Sequence, residues 1–147
     1  MSSEIDSTSP RHLRGKYAIV GVGETDYMRG SECSTRMLGT RAVKAAMADA
    51  GVTSADIDGM LSYSNNDSTF STSIAGDLGI RLNFHMDVYG GGSSIEALVG
   101  IAMGVIEAGM CHSVVIYRAM NGYSQVRIGG SGRSGGGFMN GDSLYTR

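Results

Sequence analysis

Tyr89-Gly90-Gly91-Gly92-Ser93-Ser94-Ile95-Glu96-Ala97-Leu98-Val99-Gly100-Ile101-Ala102-Met103-Gly104-Val105-Ile106-Glu107-Ala108-Gly109 says more about architecture than any other part of this chain. Three glycines end one element, two serines can open the next, and Gly109 can close it. Between them, Leu98, Ile101, Ala102 and Val105 form one apolar helical face, and Ile95, Val99, Met103 and Ile106 form another. The charged residues, Glu96 and Glu107, lie near the two ends. A helix that is apolar all round is a buried helix. A single sheet covers one side of it, so a second domain, a second chain, or both must cover the other. The polar, glycine-rich tail of the chain is a poor cover for aliphatic side chains.

Working outward, Leu82–Tyr89 alternates Leu82, Phe84, Met86 and Val88, the period of a strand. On the far side, Ser113-Val-Val-Ile-Tyr117 begins another strand, extending toward Met120. Nearer the N-terminus, Lys16–Val22 is an apolar, β-branched run suited to a strand buried on both faces. Ser34 is placed to cap a helix running to Ala50, with Val43, Ala46, Met47 and Ala50 on one stripe and Gly51 at its end. Asp58–Tyr63 reads as a strand and Ser71–Gly79 as a short helix or turn. Strands alternating with helices predict an α/β fold: a mainly parallel sheet of four or more strands, joined by right-handed crossovers and packed on the 93–108 helix. Residues 1–15 read as a disordered arm and 16–120 as the α/β domain. Residues 121–147 read as a glycine-rich loop or the start of a further part, since six of the nine residues 129–137 are glycine.

Composition narrows the function classes. A chain of 147 residues with 41% apolar and 18% charged residues can bury one ordered core. A net charge of -2 offers no electrostatic case for nucleic acid or an anionic membrane. No apolar run approaches the ~20 residues of a spanning helix, and the polar N-terminus lacks the apolar stretch of a signal peptide. Cys33 and Cys111 are too far apart in sequence to form a recognisable metal or disulfide pattern, so a reducing cytoplasm is the expected compartment. Glycine is the outlier, with 23 residues against a usual ~7%.

The motifs exclude several chemistries. Gly21-Val-Gly23-Glu-Thr-Asp26 follows a predicted strand, but Asp26 holds the third glycine position of a dinucleotide fingerprint. The next helix also begins too late to receive a pyrophosphate. Gly90-Gly-Gly-Ser-Ser94 is no Walker loop, and it lacks the closing glycine of a nucleophile elbow. At a helix N-terminus, however, free N–H groups and the helix dipole can hold an oxyanion, a phosphate or a thioester oxygen. The alternative for Gly90, Gly91, Gly92, Ser93 and Ser94 is tight packing plus a serine cap, and residue types alone do not choose between them. His85 alternates away from its strand's apolar face, His112 opens the last strand, and His12 lies in the arm; a lone histidine is usually structural. Cys111 sits at a helix-to-strand turn, away from the positions that create thiolates. Cys33 is better placed, just before a helix, but no base lies near it in sequence. No catalytic residue and no metal ligand can be assigned at this level.

Taken in order, these pieces resemble the first half of the thiolase superfamily. They are Gly21-Val-Gly-Glu-Thr25, the helix end Ala48-Asp-Ala-Gly51-Val, Asp56-Ile-Asp58 before a strand, the helix end Glu107-Ala-Gly109, and the strand Val114-Val-Ile-Tyr-Arg118. The branch they resemble is the sterol-carrier or lipid-transfer type, over about residues 16–120. In working thiolases of this kind a nucleophilic cysteine stands in the loop before the buried helix. Aligned on Ala97-Leu98, that position is Gly91 or its neighbour, and glycine cannot attack a thioester. The resemblance therefore implies the steroid side-chain aldolases, which cleave a carbon–carbon bond of a β-hydroxyacyl-CoA without an acyl-enzyme. It implies coenzyme A as part of the substrate and no separate cofactor. It also implies a homodimer or a second thiolase-type half carrying the acid/base residues, and a small partner with an OB fold and zinc ribbon. The alternatives are a non-catalytic acyl-CoA-binding or scaffold subunit, and an acetyl-CoA acetyltransferase with a displaced nucleophile such as Cys33 or Cys111.

Overall fold

The computed structural model describes residues 13–64 and 67–123. Residues 1–12 of the expected arm, His12 among them, and residues 124–147 of the expected tail lie outside the described residues. The order of elements is α1 (Thr35–Ala50), a short 3-10 turn (Ser54–Asp56), β1 (Gly59–Ser64), α2 (Ser71–Leu78), β2 (Phe84–Tyr89), α3 (Ser94–Glu107) and β3 (Val114–Tyr117). The sheet is parallel throughout, in the order β2-β1-β3.

Local signals set most boundaries. The Ser34 side chain accepts the Met37 N–H, removing one of the four unpaired donors at the start of α1. Gly51 closes that helix in the left-handed conformation at φ 68, where a Cβ would clash with the following carbonyl.

β1 is the central strand and is covered on both faces. Met60 and Leu61, adjacent and therefore on opposite faces, are both fully buried. On one side Met60 joins Val43 of α1, Ile74 and Ala75 of α2, Tyr117 and Ala119. On the other, Leu61 packs on Leu98 and Ala102 of α3, with Phe84, Val88, Val114 and Ile116 around them. Burying a side chain such as Leu98 stabilises the fold by about 2 kcal/mol, so α3 is firmly held by its Leu98–Ala102 face.

One expectation needs correction. The sheet has three strands among the described residues, not four or more. The missing one is Lys16–Val22, which opens from a turn at Lys16 and pairs with no strand among the described residues. Its glycines explain where it goes instead. A Cβ on Gly21 would stand 2.5 Å from the Ala46 carbonyl oxygen, and one on Gly23 would overlap the α1 backbone at Ala46. The segment thus lies directly on α1, and the Val22 N–H donates to the Asp49 carboxylate. Ile19, Val20 and Val22 are left 79%, 68% and 71% exposed. A strand buried on both faces needs a ladder neighbour and two covers, and the described residues supply neither. Within the chain α3 is covered on one side only, as its all-round apolar surface predicts. Leu98 and Ala102 are buried while Val99 on the other face is 39% exposed.

Candidate active-site crevice

The topology places a crevice at the carboxyl ends of β1 and β2. The chain leaving β1 turns to α2 on one face of the sheet, and the chain leaving β2 turns to α3 on the other. The two exits therefore diverge, and in parallel α/β sheets that divergence is where ligands sit. The last rung before they part is the Gly90 N–H donating to the Ser64 carbonyl, 3.2 Å.

All five predicted site residues, Gly90, Gly91, Gly92, Ser93 and Ser94, line this exit from β2. Gly91, Gly92 and Ser93 are exposed, and Gly90 and Ser94 are half-buried. The Ser94 N–H donates to the Gly91 carbonyl at 3.0 Å, forming a tight turn at the head of α3. The N–H groups of Gly91, Gly92 and Ser93 donate to no group among the described residues. Together with the positive end of the α3 dipole they form an open set of donors able to meet a negatively charged oxygen. The serine cap does not form. Ser93 occupies the cap position with helical angles, φ -69 and ψ -9, and its side chain makes no capping bond. Side-chain capping needs an extended backbone that turns the oxygen back over the first helical turn. A Cβ added to Gly91 or Gly92 would meet nothing within 4 Å, whereas one on Gly90 would overlap the Ser94 hydroxyl.

The exit from β1 forms the other wall, and here the structure adds residues that the sequence did not single out. Arg118, the first residue after β3, donates from Nη2 to the Asp67 carboxylate at 2.5 Å and from Nη1 to the Tyr63 carbonyl at 3.1 Å. Its guanidinium stands 4.5 Å over the Tyr63 ring. Asp67 is 2% and Arg118 12% exposed, so this ion pair is shielded from water. The Tyr117 hydroxyl donates to the Thr69 carbonyl at 2.5 Å. On the α2 side, the Asp87 carboxylate of β2 accepts the Ser71 N–H at 2.9 Å and the Ser71 hydroxyl at 2.8 Å, tying the start of α2 to β2. The only available sequence signal for Arg118 was a charge at the end of an apolar run.

The remaining candidates lie elsewhere. His85 is exposed on the edge strand β2. His112 sits at the opposite, amino end of the sheet, where its Nδ1 is 2.9 Å from Asp58 Oδ2. Cys111 is buried at that same end; burial, and then the nearby Asp58 charge, push its thiol up and away from thiolate chemistry. Cys33 is half-buried before α1, with Arg41 Nη1 3.3 Å from its sulfur. None of these joins the glycine loop. Two other clefts exist: one of about 400 Å3 beside Arg36 and Asp77, and one of about 340 Å3 between residues 23–28 and 118–123. Neither is lined by Gly90–Ser94. No group of three or more His, Cys, Asp or Glu among the described residues could hold a metal.

Comparison with known proteins finds relatives of the chain in sequence and in fold. No protein-family profile matches the chain. Two curated proteins do match. It is 36% identical over 118 residues to a 17-hydroxy-3-oxo-4-pregnene-20-carboxyl-CoA lyase of Mycobacterium tuberculosis, covering 80% of this chain and 30% of that protein. It is 39% identical over 119 residues to a steroid side-chain-cleaving aldolase of Thermomonospora curvata, again covering 80% and 30%. The chain is a thiolase-superfamily relative of the steroid side-chain aldolases. It spans about a third of the length of these curated relatives. Among solved structures, an Ltp2-ChsH2(DUF35) aldolase superposes with a TM-score of 0.70 at 36% identity, over 78% of this chain and 30% of that one. A monomeric SCP2-thiolase-like protein from Mycobacterium smegmatis superposes at 0.56 with 30% identity, over 67% and 22%. A 3-oxoacyl-[acyl-carrier-protein] synthase III from Aquifex aeolicus, at 15% identity and a TM-score of 0.54, covers 65% of this chain and 32% of that one and shows the shared fold alone. The α/β thiolase-like fold expected from the sequence is therefore the fold observed, and the steroid side-chain aldolase resemblance holds.

Proposed function

We propose that this chain forms part of a thiolase-fold aldolase that cleaves a carbon–carbon bond in the side chain of a steroid or related lipid carried as a CoA thioester. The observation that carries this reading is the loop Gly90–Ser94: the free backbone donors of Gly91, Gly92 and Ser93 at the head of α3, with no cysteine among them. Retro-aldol cleavage of a β-hydroxyacyl thioester moves negative charge onto the thioester oxygen as the bond breaks. N–H groups aimed at that oxygen lower the barrier without forming a covalent acyl-enzyme. The acid/base groups that complete the reaction belong, on this reading, to a further part of the protein or to a partner. Coenzyme A is part of the substrate, and no separate cofactor takes part.

The same reading accounts for the uncovered face of α3, with Val99 at 39% exposure, as the surface that a second thiolase-type half or a second copy covers. A small OB-fold and zinc-ribbon protein is the third expected companion, in keeping with the two-protein composition of the Ltp2-ChsH2(DUF35) aldolase. The proposed compartment is the cytoplasm. No described helix is long and apolar enough to cross a membrane.

Incubating the complete protein with 17-hydroxy-3-oxo-4-pregnene-20-carboxyl-CoA, with and without an OB-fold partner, tests the reading through release of the cleaved ketone. Binding of the thioester without cleavage under both conditions would favour the second reading, a non-catalytic acyl-CoA-binding or scaffold subunit. The third, acetyl transfer through a displaced cysteine, predicts an acetyl adduct on Cys33 or Cys111 by intact mass. The burial of Cys111 speaks against it there.

A further inference from the structure

We propose that Arg118 is a positioning residue for the crevice: from the end of β3 it sets where the chain leaving β1 lies relative to Gly90–Ser94. This rests on the reading of that crevice as the reaction site.

Three observations converge on it. The guanidinium bonds at once to the Tyr63 carbonyl, still within β1, and to the Asp67 carboxylate, beyond its end. It therefore ties the end of the strand to Asp67 beyond it. Its guanidinium carbon also stands 4.5 Å over the Tyr63 ring, a third contact that holds the side chain in place. The neighbouring Tyr117 hydroxyl holds the Thr69 carbonyl, so two successive residues of β3's end grip the same segment.

The consequence for the site is mechanical. Ser64 joins the two walls through the Gly90 N–H, and Ser71 joins them through Asp87. Between these two ties, the segment holding Asp67, Ser68 and Thr69 is gripped from β3 by Arg118 and Tyr117. Releasing that grip lets one wall move while the other stays seated on α3. A catalytic arrangement with donors on one wall is sensitive to such a shift, because misplacement of about 1 Å costs on the order of a hundredfold in rate.

Arg118→Lys separates positioning from mere stability. Lysine keeps the charge beside buried Asp67 but has no planar fork to hold Tyr63 and Asp67 together. In the complete protein, Arg118→Lys is expected to melt within about 3 °C of the parent and to keep KM within about twofold, while kcat falls at least about tenfold. A kcat within twofold of the parent would overturn the proposal. Absence of retro-aldol cleavage in the parent itself would instead count against the proposed function. The positioning claim is then decided by amide exchange. Ser68 and Ser71 should exchange at least about fivefold faster in Arg118→Lys, with Met60 and Leu61 at parent rates. Uniform acceleration, or none, would overturn it.

Discussion

Asp58 closes the amino end of the sheet as a single half-buried acceptor, and removing its charge should cost this fold a definite amount of stability over a definite pH range. Oδ1 accepts the N–H groups of His112 at 2.7 Å and Ser113 at 3.1 Å, and Oδ2 accepts the Asn83 side-chain amide at 3.0 Å and lies 2.9 Å from His112 Nδ1. One carboxylate therefore ties β1 to the chain entering β2 and to the chain entering β3. Burial pushes the carboxyl up, but the hydrogen bonds from His112, Ser113 and Asn83 together outweigh it and bring the group down to about 2. The side chain is 17% exposed, so solvent screens little of this. Held at about 2 against an ordinary 3.8, the ionised carboxyl stabilises the folded chain by about 2 kcal/mol. Because the folded value is the lower one, that stability is fully present above about pH 4–5 and is lost as the pH falls through 3.8 toward 2.

Urea unfolding of the chain and of Asp58→Asn at a series of pH values tests this. At pH 6 the variant should be less stable by roughly 2 to 3 kcal/mol, because the amide can still accept but carries no charge and adds an N–H facing other donors. The gap should shrink steadily below pH 4 and nearly close by pH 2. A gap of the same size at pH 6 and pH 2 would show that the loss is geometric and not electrostatic. No gap at pH 6 would show that the clamp contributes nothing. His112→Asn should cost under about 0.5 kcal/mol at pH 6, because the imidazole is 89% exposed and its pairing is screened.

Gly91→Ala meets no atom within 4 Å, so its melting temperature should match the parent within about 2 °C; if the loop receives a thioester, affinity for an acyl-CoA should fall about tenfold, more than in Cys111→Ala, by calorimetry. Cys33 should alkylate with iodoacetamide at pH 7.5 well ahead of Cys111, whose thiol is buried and pushed up; equal rates by mass spectrometry would show that the amino end of the sheet opens readily. Val99→Lys should leave the unfolding free energy of the isolated chain within about 0.5 kcal/mol, since that face is solvated within the chain, yet abolish assembly seen by light scattering at low micromolar concentration. A chain that is already a monodisperse 15.4 kDa species before mutation would show that α3 needs no second cover.

Much of this protein was legible in its sequence because the signals concerned are local. Ser34 and Gly51 bracket α1 because capping and the left-handed conformation depend on neighbouring backbone atoms alone. The apolar run of α3, the glycines before it and the alternation of strands with helices carry the α/β class. The position of the glycine loop at the head of a helix then marks where donors gather. The absence of a cysteine there excludes covalent thiolase chemistry at that loop with no coordinates needed.

Other features depend on where distant segments meet. Lys16–Val22 has the composition of a buried strand, yet strand pairing requires a neighbour, and composition carries no information about whether one is present; here the glycines seat the segment on α1 instead. Ser93 looks like a helix cap, but the path of the chain out of β2 leaves it in helical angles, where its hydroxyl cannot fold back. Arg118 and Asp67 lie 51 residues apart and Asp58 and His112 lie 54 apart, so no periodicity or motif links them. They meet because a parallel sheet brings the ends of strands that are remote in sequence to one edge. That is why the donors of the crevice could be read from residue order, while the residues that hold its opposite wall could be found only in three dimensions.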